Sequence, residues 1–128
     1  MKVAVIGCGT IANAAHIPSY MNNPEAEIKY FCDILPEKAK AAVEKYGCGI
    51  AIEDYHDIIA DPEVEAVSVC TPNKMHSIIS VDCLRGGKHV LCEKSMVLHT
   101  RQAEEVFALA REKGLFLMEC MWVRFLPK

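Results

Sequence analysis

The chain has 128 residues, 52% hydrophobic and 24% charged, with 14 basic and 17 acidic side chains and a formal charge of −3. This suffices for one globular core and excludes disordered, linker-like and collagen-like classes. Charges are scattered without blocks and no apolar run approaches the ~18 residues of a membrane span, so neither nucleic acid nor membrane is an expected partner.

Strand-like and helix-like segments alternate along the whole chain. Apolar, β-branched runs predict strands over 2–6, 28–32, 66–70, 89–92 and 115–118, with a weaker one over 49–52. Between them, Ala39, Ala42, Val43 and Tyr46 repeat at helical spacing, as do Ala103, Val106, Phe107 and Ala110. Pro36 suits a first helical turn, Gly47 and Gly114 suit helix ends, and Asn73 and Thr100 are candidate N-caps. Near-continuous apolar strands separated by helices imply a parallel sheet covered on both faces. Six strands and about five helices make two βαβαβ halves. The expected fold is therefore α/β, a three-layer, doubly wound Rossmann sheet with strand order 3-2-1-4-5-6.

The seven cysteines contain no Cys-x-x-Cys pair, and their number is odd. Most sit inside apolar runs, where a free thiol packs as a small hydrophobe, so neither a disulfide framework nor a metal site is expected. Cys8 lies in the loop after the first strand, where a helix N-terminus could lower its pKa, but its expected role is that of a small space-filling loop residue. The opening Met1–Gly7 stretch is too short for a signal peptide, and a cytoplasmic protein is expected.

Gly7-Cys8-Gly9-Thr10-Ile11-Ala12 directly follows the first strand and opens a helix. Gly7 permits a tight turn, Gly9 lets a pyrophosphate approach the backbone, and Ala12 lets helix and strand pack closely. The helix start then offers unpaired N–H groups to phosphates. Asp33 ends the second strand 21 residues after Ala12, where its carboxylate can accept both ribose hydroxyls of NAD and repel the 2′-phosphate of NADP. No Arg follows it in Ile34-Leu35-Pro36, so NAD is the expected cofactor and NADP the less favoured one.

Three more stretches stand at the ends of the fourth, fifth and sixth strands: Cys70-Thr71-Pro72-Asn73-Lys74-Met75-His76, Cys92-Glu93-Lys94-Ser95, and Met118-Glu119-Cys120-Met121-Trp122-Val123-Arg124-Phe125-Leu126-Pro127. With the glycine loop they resemble the N-terminal domain of the glucose–fructose oxidoreductase/inositol dehydrogenase (Gfo/Idh/MocA) family. The last stretch looks most like its dihydrodiol dehydrogenase-like branch. The resemblance implies NAD(P)-dependent oxidation of a sugar, polyol or related hydroxyl, or the reverse reduction. It assigns Lys94, the match to the lysine of the family's Glu-Lys-Pro motif, a role in moving the hydroxyl proton. It also puts Thr71, Pro72, Asn73, His76, Glu93, Trp122 and Arg124 around the cofactor. Ser95 stands where the family usually has proline, which would fix the backbone after Lys94.

Residues 1–119 are thus expected to form the cofactor-binding domain and 120–128 the start of a linker to an absent α+β substrate domain. In the family that second domain brings the catalytic histidine and the far wall of the substrate pocket, so a small-molecule substrate is expected only with it. The leading expectation is a truncated or fragment form with little activity alone. The alternative is a non-catalytic NAD-binding or regulatory module; a methyltransferase-like fold sharing the glycine loop leaves the later motifs without a role. Without a second domain, Met121, Trp122, Phe125 and Leu126 would be left near the surface, to be buried in a homo-oligomer or, alternatively, to belong to a tail that folds back on its own sheet or stays disordered.

Overall fold

The computed structural model describes residues 1–127; Lys128, the end of the expected linker, lies outside the described residues. Six parallel strands form one sheet in the order β3-β2-β1-β4-β5-β6. They are β1 (Lys2–Ile6), β2 (Glu27–Cys32), β3 (Ile50–Ile52), β4 (Ala66–Val69), β5 (His89–Cys92) and β6 (Leu117–Glu119). A π-helical turn over Ala12–His16 runs straight into α1 (Ile17–Met21), and α2 (Pro36–Tyr46), α3 (His56–Ala60), α4 (Asn73–Arg85) and α5 (Thr100–Lys113) make the other connections. A 3-10 turn, Trp122–Phe125, follows β6. This is the doubly wound Rossmann order.

Local chemistry explains most boundaries. Pro36 opens α2, and Gly47 and Gly114 take the left-handed conformation that ends α2 and α5 (φ 66° and 64°). The proposed caps are displaced by one residue. Asn73 and Thr100 are the first helical residues, the capping positions belong to Pro72 and His99, and no side chain caps either end.

Two cores flank the sheet. On one face, Ala4, Ile6, Val67, Val69, Val90 and Cys92 pack against α3, α4 and α5 through Ile58, Ile79, Leu84, Val106 and Ala110. Phe107, expected on that helical face, is instead exposed. On the other face, Val3, Val5, Ile28 and Phe31 pack under the first helical segment and α2 through Ala12, Ile17, Ala39 and Ala42. That second layer stops at β4. Leu91 on β5 and Met118 on β6 are only partly buried and line an open groove, so on this face the expected cover is incomplete over β5 and β6. The reason is topological: the first two crossover helices lie over β1–β3, while α4 and α5 both take the opposite face. No helix among the described residues is long and apolar enough to cross a membrane.

Candidate functional site

The carboxyl ends of the strands carry the candidate residues, and the switch point lies between β1 and β4. Gly7 sits there at φ 93°, and a Cβ on it would fall 2.6 Å from the Cys70 carbonyl oxygen and 2.9 Å from the Thr71 nitrogen. Only glycine lets the two loops touch. A Cβ on Gly9 would meet nothing within 4 Å, so the loop is open on the side from which a pyrophosphate would come. Thr10 and Ile11 are exposed at the start of the helical segment, and Ala12 is fully buried beneath them.

Asp33 braces this loop. Its Oδ2 accepts the Cys8 N–H at 2.9 Å and its Oδ1 the Leu35 N–H at 2.9 Å. Each carboxylate oxygen keeps a second lone pair for a hydroxyl. Cys8 is buried, and burial, followed by the Asp33 charge, pushes its thiol up to about 12. The loss of solvation outweighs the helix start, and Cys8 is the space-filling loop residue expected. Cys92 is likewise pushed up to about 12 by burial.

Thr71, Pro72 and Asn73 follow β4 along the same rim. Thr71 Oγ1 is buried without a hydrogen-bond partner. A dinucleotide fits the site on three counts: an open approach at Gly9, a braced acid at Asp33 and an unspent hydroxyl at Thr71.

The β5 end is organised differently. Lys94 is exposed, and its backbone N–H donates to Glu93 Oε2 at 3.2 Å. The Lys94–Ser95 peptide is cis. Three side chains hold this turn. Glu93 Oε1 meets His16 Nε2 at 2.9 Å, the Ser95 carbonyl meets His76 Nδ1 at 2.8 Å, and the Met96 N–H donates to Glu119 Oε1 at 2.8 Å. His76 is 1% exposed, and its Nε2 lies 2.6 Å from the Thr71 carbonyl. Held at both ring nitrogens, His76 ties the β4 loop to the Lys94 turn.

His16, Glu119, Ser68 and Tyr20 were missed by sequence reasoning. Ser68 is buried on β4, with its Oγ 3.2 Å from His16 Nδ1 and 2.7 Å from Tyr20 Oη. His16 and Tyr20 line the groove over β5 and β6, about 470 Å³, whose walls also include Ile11, Leu91, Met118, Trp122 and Phe125. Trp122 reaches the groove; no side-chain hydrogen bond or ion pair engages Arg124 among the described residues.

A family profile described as an oxidoreductase family with an NAD-binding Rossmann fold, Gfo/Idh/MocA, matches residues 1–120. The dTDP-3,4-didehydro-2,6-dideoxy-alpha-D-glucose 3-reductase of Actinomadura kijaniata is 38% identical over 119 residues, 93% of this chain and 36% of its own length. The trans-1,2-dihydrobenzene-1,2-diol dehydrogenase of Mus musculus is 30% identical over 128 residues, 99% of this chain and 38% of its own. A solved 3-ketoreductase from Actinomadura kijaniata, in complex with NADP and TDP-benzene, superposes with a TM-score of 0.94 at 36% identity, covering 100% of this chain and 39% of that one. The chain thus spans little more than a third of the length of these relatives.

Proposed function

Since the chain belongs to the Gfo/Idh/MocA oxidoreductase family, we propose that it is the cofactor-binding part of an NAD-dependent enzyme acting on a CH–OH group, or the matching ketone, of a sugar, polyol or related diol. The observation that carries this reading is the pairing of a braced Asp33 with the open Gly9 loop on the same rim as Glu93 and Lys94. When bound, nicotinamide would supply the acceptor or donor of the substrate's hydride. Asp33 holds the ribose hydroxyls, the amides at the start of the helical segment hold the phosphates, and Thr71 Oγ1 offers a hydrogen bond along the rim. Lys94 moves the hydroxyl proton, and the braces from His16, His76 and Glu119 fix the turn that carries it.

NAD is proposed over NADP on the charge of Asp33, although the solved 3-ketoreductase at 36% identity carries NADP. The seven cysteines are free thiols, which suits a reducing cytoplasm. Substrate orientation and exclusion of water fall to a substrate domain such as the rest of the longer relatives would supply.

A turnover assay tests the reading. Residues 1–128 alone are expected to show no steady oxidation of inositol, glucose or simple diols with NAD. In a longer form carrying a substrate domain, Lys94→Ala is expected to cut turnover by about 10²–10⁴-fold while NAD affinity changes little. Robust turnover by residues 1–128, or a Lys94→Ala variant as active as its parent, contradicts it.

A further inference from the structure

At the floor of the groove, His16 Nε2, a Glu93 carboxylate oxygen and Cys120 Sγ all lie within 4.8 Å of one another. The three donors come from three separate parts of the fold: the π-helical turn, the end of β5 and the end of β6. His16 and the Glu93 side chain are 6% and 12% exposed, and Cys120 is half-buried. All three border the same opening to solvent. We infer that His16, Glu93 and Cys120 form a site for a single divalent zinc-type cation, with its fourth position facing the groove.

The chemistry of the donor set favours this ion. Imidazole nitrogen, carboxylate oxygen and thiolate sulfur together suit a borderline-soft cation, and three protein ligands with one open position is a common zinc arrangement. Zinc–ligand bonds of about 2.0–2.3 Å in a tetrahedron put neighbouring donor atoms roughly 3.3–3.6 Å apart. His16 Nε2 and Glu93 Oε1, now 2.9 Å apart, need only part slightly, and the sulfur has at most about an ångström to travel. On binding, the Cys120 S–H bond breaks, its proton goes to solvent and the sulfur pair forms one metal bond. The imidazole of His16 gives up its Nε2 proton and takes one at Nδ1, so its proton count is unchanged while the Nε2 pair forms another. No electron is transferred.

A second layer of contacts is already in place. Ser68 Oγ, 3.2 Å from His16 Nδ1, can accept the Nδ1–H that a metal-bound ring must carry, while its own hydroxyl turns to Tyr20 Oη at 2.7 Å. The backbone N–H of Lys94 on Glu93 Oε2 leaves Oε1 to the ion. Without metal the same atoms satisfy one another: Nε2–H donates to Glu93 and Nδ1 accepts from Ser68. The cluster can therefore fold empty. The inference does not depend on the proposed cofactor, because none of the donors needs a dinucleotide to be in position.

The test is titration of residues 1–128 with Zn²⁺ against a chelator of known affinity, and with Co²⁺ followed by absorption. One equivalent is expected, with a sulfur-to-cobalt charge-transfer band. Cys120→Ser is expected to abolish that band, and Cys120→Ser and His16→Gln each to weaken Zn²⁺ at least tenfold. Cys48→Ser, which alters a partly exposed thiol outside the groove, is expected to change nothing. Circular dichroism melts identify any variant that fails to fold; the wild-type band and stoichiometry then decide. Absence of a one-equivalent site in the wild type overturns the inference, as does a site unchanged in folded Cys120→Ser and His16→Gln. NADH titration of the same samples reads the cofactor proposal separately.

Discussion

The two ends of the cofactor rim are built from different materials. At β1 and β2 the site is made of backbone: Gly7 pressed on the Cys70 carbonyl, an open Gly9, and a carboxylate clasping the Cys8 and Leu35 amides. At β5 and β6 it is made of side chains reaching across the fold, with His16, His76 and Glu119 holding one short turn beside a groove that nothing covers among the described residues. The first end is packed at Gly7 and open only at Gly9; the second is braced by side chains beside an uncovered groove. A backbone site needs particular residue types within a few positions, whereas a side-chain site needs only that distant residues meet.

The sharpest way to break this contrast is to add one methyl group at two glycines of the same loop. Gly7→Ala forces a Cβ into the Cys70 and Thr71 backbone at a positive φ and is expected to cost about 3 kcal/mol of stability and to abolish NADH binding. Gly9→Ala meets no protein atom and is expected to stay within about 1 kcal/mol of the parent fold. Its NADH affinity is nevertheless expected to fall at least ~tenfold, since the methyl occupies the phosphate approach. Denaturant melts and fluorescence titration separate the two effects. Equal stability losses would mean that Gly9 is no cradle.

The same contrast explains what the sequence made legible. Strand order, the left-handed Gly47 and Gly114, the glycine loop and Asp33 could all be read because each rests on local chemistry or short spacing. The brace of Glu93 by His16 could not, since 77 residues separate partners that only the β1-β4-β5 adjacency unites. Likewise the apolar run at β5 looks continuous, yet its burial alternates along the strand because only one face has a helix over it. At Cys8 the nearby helix start suggested one influence on the thiol, but burial and then the Asp33 charge outweigh it.

The open end is also where association is expected. Trp122 and Phe125 are 61% and 71% exposed beside the groove, and a second copy seated there would cover them. Light scattering with size-exclusion chromatography is expected to give a dimer mass at micromolar concentration, halved by Trp122→Ser plus Phe125→Ser. A monomer unaffected by those changes rules this out.

A smaller effect is expected at the opposite rim, away from both ends. Asp61 is held down to about 2 from an ordinary 3.8, first by Lys29 at 2.5 Å and then by the Glu63 amide and the Tyr30 hydroxyl. A depressed carboxyl stabilises the fold above its unfolded pKa and loses that contribution as pH falls through the folded one. Asp61→Asn is therefore expected to flatten the stability profile between about pH 4 and pH 2 while leaving NADH affinity unchanged. An unaltered acid limb would contradict it.

Selection of the dinucleotide by Asp33 at the backbone end is read out by calorimetric titration of residues 1–128 with NADH and with NADPH. NADH is expected to bind more tightly, with Asp33→Ala weakening NADH about tenfold through loss of charge-assisted hydrogen bonds worth about 1.5–3 kcal/mol, and narrowing the gap to NADPH. Equal or tighter binding of NADPH by the unmutated chain would contradict it.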